Sequence, residues 1–142
     1  MPFIRGGLIT LAVVQGPIGL WALVAPHSFY EDFPLGRGGW VSALGPYNEH
    51  MTVDYGSLTL ALVSVLIVAA IAMERTLVMA AAGAYLIWSV PHFVYHLANL
   101  GPYGTGDAVG NVITLTFTVA LPAAILWKAR QWEPAIFEGR FE

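Results

Sequence analysis

Two pairs of side chains at helical spacing carry most of the chemistry that this sequence offers. His50 and Asp54 form an H-x3-D pair, and His92 and His96 form an H-x3-H pair. Residues four apart share one face of a helix, so each pair presents two potential ligands in one direction. Three imidazoles and one carboxylate suit zinc, copper or non-haem iron. The spacing therefore predicts a transition-metal site, provided that the two pairs lie on facing helices.

Other polar residues near the two pairs complete the expected site. Glu49 directly precedes His50 and is a candidate fifth ligand. Four more side chains are expected as hydrogen-bond partners of the ligands or as further ligands: Asn99, Asn111, Tyr47 and Tyr95. The chain has no cysteine, which excludes a thiolate metal site and disulfide chemistry.

Simpler roles compete with metal binding for the same residues. Asn48 and Glu49 suit the start of a helix, where Asn is a favoured cap and an acidic residue complements the helix dipole. Asp54 could pair with a protonated His92 or His96 as a contact between helices. Two further alternatives are metal-free acid–base catalysis by Asp54 and a histidine, and a b-type haem with one axial histidine from each helix. The haem alternative leaves one imidazole without a use.

The elements that must position these residues are apolar helices. The chain has 142 residues, of which 57% are hydrophobic and only 11% are charged. An ordinary soluble domain is about one quarter charged, so lipid must cover part of this surface. Four segments match the roughly 20 residues that cross a bilayer: the predicted helices are approximately 6–26, 48–73, 77–100 and 107–128. An amphipathic tail is expected over 129–142.

These helices predict an all-α fold with a single integral membrane domain over 1–142. The expected architecture is an antiparallel four-transmembrane-helix bundle with a long extracytoplasmic loop between helices 1 and 2. Five of the six basic residues flank one end of the helices, and Arg37 alone lies in the other connections. Because basic residues mark cytoplasmic ends, we expect a multi-pass protein of the plasma (inner) membrane with both termini in the cytoplasm. The net charge of −3 and the lack of a basic patch argue against a nucleic-acid partner.

Polar residues recur at helical spacing on three of the predicted helices. The stripes comprise residues 50, 54, 57, 61 and 64 on helix 2, residues 85, 89, 92, 96 and 99 on helix 3, and residues 107, 111, 114 and 118 on helix 4. Hydrocarbon is an unfavourable surrounding for such stripes, so we expect them to face one another in the outer half of the bundle. Counting from Arg75 in the turn, Asp54 and His96 should lie at the same depth.

The motif "GPYNEH…D…G", followed one hairpin later by "PH…YH", resembles a pattern of small uncharacterised four-helix bacterial integral membrane proteins. The resemblance covers helices 2 and 3, about one third of the chain. It implies a four-helix membrane fold, and it implies no activity.

The leading hypothesis is a membrane metalloprotein with zinc, copper or iron in the outer half of the bundle. If one coordination position stays open, the metal could activate water and serve a metal-dependent enzyme acting on a lipid or another apolar substrate. The alternative is a non-enzymatic accessory subunit of a larger membrane complex, whose polar cluster contacts a quinone or a lipid. The expected partners are membrane lipids, and a larger complex or a second copy of the chain.

Overall fold

A computed structural model describes residues 1–132 of the chain, and this part is entirely α-helical, without strands. The helices are α1 (Pro2–Val24), α2 (Pro26–Asp32), α3 (Glu49–Ala72), α4 (Arg75–Ala98) and α5 (Thr105–Arg130), and a 3-10 turn covers Ser42–Leu44. The four long helices are each apolar enough and long enough to cross a membrane, which is compatible with an integral membrane protein. The predicted amphipathic tail begins inside α5, and the rest of it, from 133 onward, lies outside the described residues.

The helix boundaries follow from local chemistry. Prolines occupy the first turns of α1 and α2, where their missing N–H costs nothing. Asn48 caps α3, since its side chain accepts a hydrogen bond from the Met51 N–H at 3.1 Å. At the other end of α3, Met73 adopts a left-handed conformation and Glu74 already precedes α4. The connection between α3 and α4 is therefore only two residues long.

The long helices form two layers. Helix α1 packs closely along α3, and α4 packs closely along α5, whereas contacts between the layers are fewer. Gly19 and Gly56 make the closest backbone approach in the first layer. A Cβ atom on Gly56 would lie 2.6 Å from the Leu23 nitrogen and 2.8 Å from the Gly19 carbonyl oxygen. Glycine pairs of this kind let two helices approach within backbone contact in a membrane.

Two arginines connect the helices at the end of the bundle that holds the α3–α4 turn, here called the turn end. Arg5 Nε donates to the Ala70 carbonyl oxygen at 3.1 Å. Arg75 Nε and Nη2 donate to the Ala129 and Arg130 carbonyl oxygens at 3.0 and 3.1 Å. These bonds satisfy carbonyl groups that the last turns of α3 and α5 leave without helical partners. The core next to them is aliphatic, with Leu8, Leu66, Val78, Ile125 and others fully enclosed.

The opposite end of the bundle, here called the loop end, is covered by the connection between α1 and α3. Trp40 in this connection donates from Nε1 to the Asp107 carboxylate at 3.1 Å, and Arg37 pairs with the same oxygen at 3.3 Å. The Trp40 ring lies against Gly110 at the start of α5. Tyr103 donates its hydroxyl to the Trp40 carbonyl oxygen at 2.7 Å. The loop is therefore attached to the start of α5 by three contacts and to the α4–α5 connection by one.

Candidate ligand site at the loop end of the bundle

The interior face of α4 is buried in the middle of the helix and becomes more exposed toward the loop end. Tyr85 and Ser89 on this face are buried, at 1% and 0% exposure. One and two turns further along the same face, His92 and His96 are partly exposed. Because residues on one helix face become more exposed toward the loop end, the two histidines lie at the partly exposed end of this face, here called the crevice, rather than in the closed core.

The two imidazoles of this crevice lie side by side. The ring centroids of His92 and His96 are 4.6 Å apart, with the planes at 60°. The Trp88 ring stacks on His92 at 5.2 Å, and the Tyr103 ring stacks on His96 at 6.4 Å. A continuous aromatic column therefore runs from the interior of the bundle to the α4–α5 connection.

The pair on α3 also comes together, but it faces outward. His50 Nε2 lies 3.3 Å from Asp54 Oδ2, with the two side chains 81% and 49% exposed. The rest of the predicted polar stripe on this helix is likewise exposed: Ser57, Ala61 and Ser64. The interior face of α3 is formed instead by Gly56, Thr59, Val63, Leu66, Ala69 and Ala70. The expectation that this stripe faces the other two is wrong.

The physical reason lies in local hydrogen bonding. Ser57 and Ser64 donate their hydroxyls to carbonyl oxygens of their own helix, those of Asp54 and Ala61, at 3.0 and 2.7 Å. A hydroxyl satisfied in this way can face an apolar surrounding at little cost. The orientation of α3 is then decided by the close glycine contact with α1, which turns the opposite face inward.

The histidine and carboxylate side chains accordingly form two pairs, not one cluster. Within residues 1–132, no three His, Asp or Glu side chains gather as a group that could hold a metal ion. His50 and Asp54 lie together on the outside of α3, and His92 and His96 lie together in the crevice along α4.

The positions of the helix ends revise the predicted depths. Asp54 lies 18 residues before Ala72, and His92 lies 17 residues after Arg75, which correspond to about 27 and 26 Å from the turn. His50 and His96 are 22 and 21 residues away from the same ends, or about 33 and 32 Å. Asp54 is therefore level with His92, and His50 is level with His96. The predicted match of Asp54 with His96 is wrong by about one turn.

Four other predicted site residues lie away from the crevice or serve local structure. Glu49 is the exposed first residue of α3. Tyr47 packs against the His27 ring at 4.9 Å in the covering loop. Tyr95 is 52% exposed, and Asn99 at the end of α4 donates its amide to the Tyr95 carbonyl oxygen at 2.8 Å.

Asn111 does belong to the interior. Its side chain is buried, on the same face of α5 as the buried residues Thr118, Pro122 and Ile125. Its Nδ2 is one of several buried polar atoms that have no hydrogen-bond partner in the described part of the chain: Gln15 Oε1, Thr59 Oγ1, Ser89 Oγ, His96 Nδ1 and Asn111 Nδ2. All four long helices contribute to this set. Since buried polar groups are nearly always paired, such a set indicates room for hydrogen bonds to something else, whether water or a ligand.

Sequence reasoning missed two contributors to this interior. Gln15 on α1 donates from Nε2 to the Tyr85 hydroxyl at 2.8 Å, across the centre of the bundle. A lone amide within an apolar span was the available signal, because such a group must find a partner inside the protein. In a membrane protein, tryptophan is typical of the membrane interface, yet Trp88 packs between Tyr85 and His92. Tryptophan occurs in both settings, so composition alone does not distinguish them.

The loop that covers the crevice is held partly by Tyr103. Burial raises the pKa of the Tyr103 hydroxyl above its usual range. The hydroxyl therefore stays protonated and remains a donor to the Trp40 carbonyl oxygen.

Comparison with protein-family models, with curated proteins and with solved structures gives no match to this chain. The assignment of a function therefore rests on the geometry of the crevice and of the helices around it.

Proposed function

We propose that the four long helices cross a cell's plasma membrane as an antiparallel bundle, with the loop end outside. Support comes from the basic residues. Arg5, Arg75, Lys128 and Arg130 are at the turn end, and Arg37 is the only basic residue of the described part at the loop end. Basic residues mark the cytoplasmic side, so the first and last described residues face the cytoplasm.

Within this membrane protein we infer a transition-metal site centred on His92 and His96. The observation that carries the inference is the pair of imidazoles, 4.6 Å between ring centroids, partly exposed in a crevice, with His96 Nδ1 lacking a partner among residues 1–132. Two histidines at this spacing on one helix face are a recurrent zinc-binding arrangement. With Zn–N bonds of about 2.0–2.1 Å, two rings on one ion have centroids on the order of 5 Å apart.

Asp54 and His50 are the candidates for further ligands. They are level with His92 and His96, respectively, on the helix joined to α4 by two residues. Their side chains face outward, so joining the ion requires the loop end of α3 to turn toward α4. Glu49 or water would complete the shell. A metal with only two or three protein ligands keeps open positions, which is the requirement for activating water against a lipid or other apolar substrate.

The test is metal analysis of the full chain purified in detergent, combined with calorimetric titration of Zn²⁺, Cu²⁺ and Fe²⁺. His92→Gln and His96→Gln should abolish the binding of one ion per chain. Tyr95→Phe is the matched control, because it removes only a hydroxyl from a half-exposed ring that lies edge-on to His96 at 6.0 Å. Asp54→Asn and His50→Gln report on recruitment of α3: weaker binding in either variant indicates that the helix turns toward the ion.

The metal proposal fails if the His92→Gln, His96→Gln double variant retains one tightly bound ion per chain, or if the unaltered protein binds none of the three metals. Loss of metal in Tyr95→Phe to the same degree would also contradict it, because the effect would then come from general disturbance of α4.

A second candidate ligand is a planar ring compound with carbonyl oxygens, such as a quinone. The aromatic column of Trp88, His92, His96 and Tyr103 favours it, because rings stack on such side chains. Unpartnered donors such as Asn111 Nδ2 could bind the carbonyl oxygens. Quenching of tryptophan fluorescence by decylubiquinone tests this candidate. Asn111→Leu should weaken quenching and leave metal binding intact, whereas His96→Gln should impair both.

The remaining alternatives have less support. A b-type haem bound by two histidines needs them on opposite faces of the macrocycle, whereas His92 and His96 are adjacent on one helix face and His50 faces outward. An accessory subunit without a ligand is the outcome if neither metal nor quinone binds, and co-purification of a partner from the native membrane would then test it.

A further inference from the structure

Arg5 at the turn end uses only some of its hydrogen-bond donors in contacts with the described part of the protein. Its Nε donates to the Ala70 carbonyl oxygen, which fixes the guanidinium beside the last turns of α3. Its two Nη groups make no hydrogen bond to residues 1–132, and none of the acidic residues in that range forms an ion pair with it. A positioned guanidinium with two unused donor groups is suited to bind an anion, above all a phosphate, in a bidentate manner.

Two apolar grooves meet at this guanidinium. One groove, of about 510 Å³, runs between α1 and α3 and is lined by aliphatic side chains such as Ile9, Val13, Ile67 and Ile71. The other, of about 580 Å³, is lined by Met1, Met73 and Trp132, among others. Arg5 and Ile9 line both. Within the described part of the chain, Arg5 is therefore the only charged side chain that lines either groove, and it lies where the two grooves meet.

We propose that this surface binds one anionic phospholipid, with its phosphate on the Arg5 Nη groups and its two acyl chains in the two grooves. Charge complementarity selects the occupant, because a guanidinium at the junction of two apolar grooves matches an anionic head that carries two hydrocarbon chains. The first turn of α1 contains no acidic residue, so the positive end of its helix dipole adds to the attraction. Trp132 at the edge of the second groove suits the depth of a headgroup.

The protein contains its own matched control for this proposal. Arg75 is also at the turn end, but its Nε and Nη2 already donate to the Ala129 and Arg130 carbonyl oxygens. Removing the guanidinium at either position removes a contact between helices, but only at Arg5 does it also remove the proposed phosphate donors. Both changes alter the net charge by one unit, so a general electrostatic effect would be the same in both.

The test is native mass spectrometry of the full chain in detergent, titrated with phosphatidylglycerol or with phosphatidylcholine. Phosphatidylglycerol should bind with a one-to-one stoichiometry and more tightly than phosphatidylcholine. Arg5→Gln should weaken phosphatidylglycerol binding about fivefold or more, as expected for loss of one cation near a lipid headgroup. Ile67→Trp should weaken it independently, because the larger side chain fills the first groove from an exposed position without entering the core. Arg75→Gln should bind as the unaltered protein does.

Three results would overturn the proposal. The first is equal affinity for the two lipids. The second is unchanged phosphatidylglycerol binding in both Arg5→Gln and Ile67→Trp. The third is an equal loss of binding in Arg5→Gln and Arg75→Gln, which would reduce the effect to net charge. None of these results bears on the crevice at the opposite end, so this proposal and the metal proposal can fail separately.

Discussion

Replacing Gly56 with alanine should disrupt the layer formed by α1 and α3. The added Cβ would lie 2.6 Å from the Leu23 nitrogen, 2.8 Å from the Gly19 carbonyl oxygen and 2.9 Å from the Leu23 Cα. All three are backbone atoms, so no side chain can rotate away. Ordinary contact begins at 3.4 Å, so the helices must separate by roughly 0.5–0.8 Å.

The size of the effect follows from two opposing contributions. Overpacking against a rigid neighbour costs about 1–3 kcal/mol. Alanine in place of glycine inside a helix recovers about 0.5–1 kcal/mol. We therefore expect Gly56→Ala to lower the free energy of unfolding by about 1–2 kcal/mol. Gly83→Ala is the control, because a Cβ on Gly83 meets no atom within 4 Å in the described structure, and this variant should be more stable by about 0.5–1 kcal/mol.

The assay is reversible unfolding in mixed micelles, with helicity followed by circular dichroism as a denaturing detergent is added. The prediction is a difference in sign between the two glycine variants. If Gly56→Ala proves as stable as Gly83→Ala, the close approach of α1 and α3 is not present in the protein. The orientation of α3, and with it the outward position of the His50–Asp54 pair, would then need to be reconsidered.

Three further predictions concern the interior, the loop and the topology. Tyr85→Phe leaves the Gln15 amide without its 2.8 Å partner and should lower the free energy of unfolding by about 1–3 kcal/mol, measured in the same detergent titration. The double variant Tyr85→Phe, Gln15→Leu should lose less stability than the two single variants lose together. Asp107→Ala removes the carboxylate that binds Trp40 and Arg37 of the covering loop, so proteolysis of the loop should become about tenfold faster. An unchanged rate of proteolysis would contradict the role of this carboxylate. Because the chain has no cysteine, single Leu35→Cys and Glu74→Cys variants can be labelled in intact cells. A membrane-impermeant thiol reagent should modify the cysteine at 35 and not the one at 74. Equal labelling of the two variants would refute the proposed orientation.

The sequence predicted the four spans because a run of apolar residues of bilayer length has few other uses in a protein. It also predicted that Tyr85 and Ser89 on α4 face the interior, where Ser89 Oγ is buried without a hydrogen-bond partner in the described part of the chain. For α3, the same periodic pattern pointed to the wrong face. A serine that donates to its own helix has no preference for the interior, and periodicity cannot reveal whether it does so.

The depth of the histidines was harder to predict for a different reason. The relative depth of residues on the two helices depends on where α3 ends and α4 begins. An error of one or two residues in the assumed centre of the turn shifts the residues of one helix against those of the other by about one helical turn. Met73 ends α3 in a left-handed conformation, which a methionine seldom adopts, and nothing in the sequence pattern signals it. The choice between metal and quinone was likewise beyond the sequence, because the partnering of buried polar atoms depends on tertiary packing.

The short connection at Met73–Glu74 also constrains how the chain is inserted during synthesis. With only these two residues between them, α3 and α4 form a helical hairpin suited to enter a membrane as one unit. In the proposed orientation the turn stays on the cytoplasmic side, so the ends that carry the histidine pairs are the ones that cross to the outer side during synthesis. Biogenesis then includes the cost of moving an aspartate and three imidazoles across lipid, and entry of the two helices as one hairpin confines that cost to a single step.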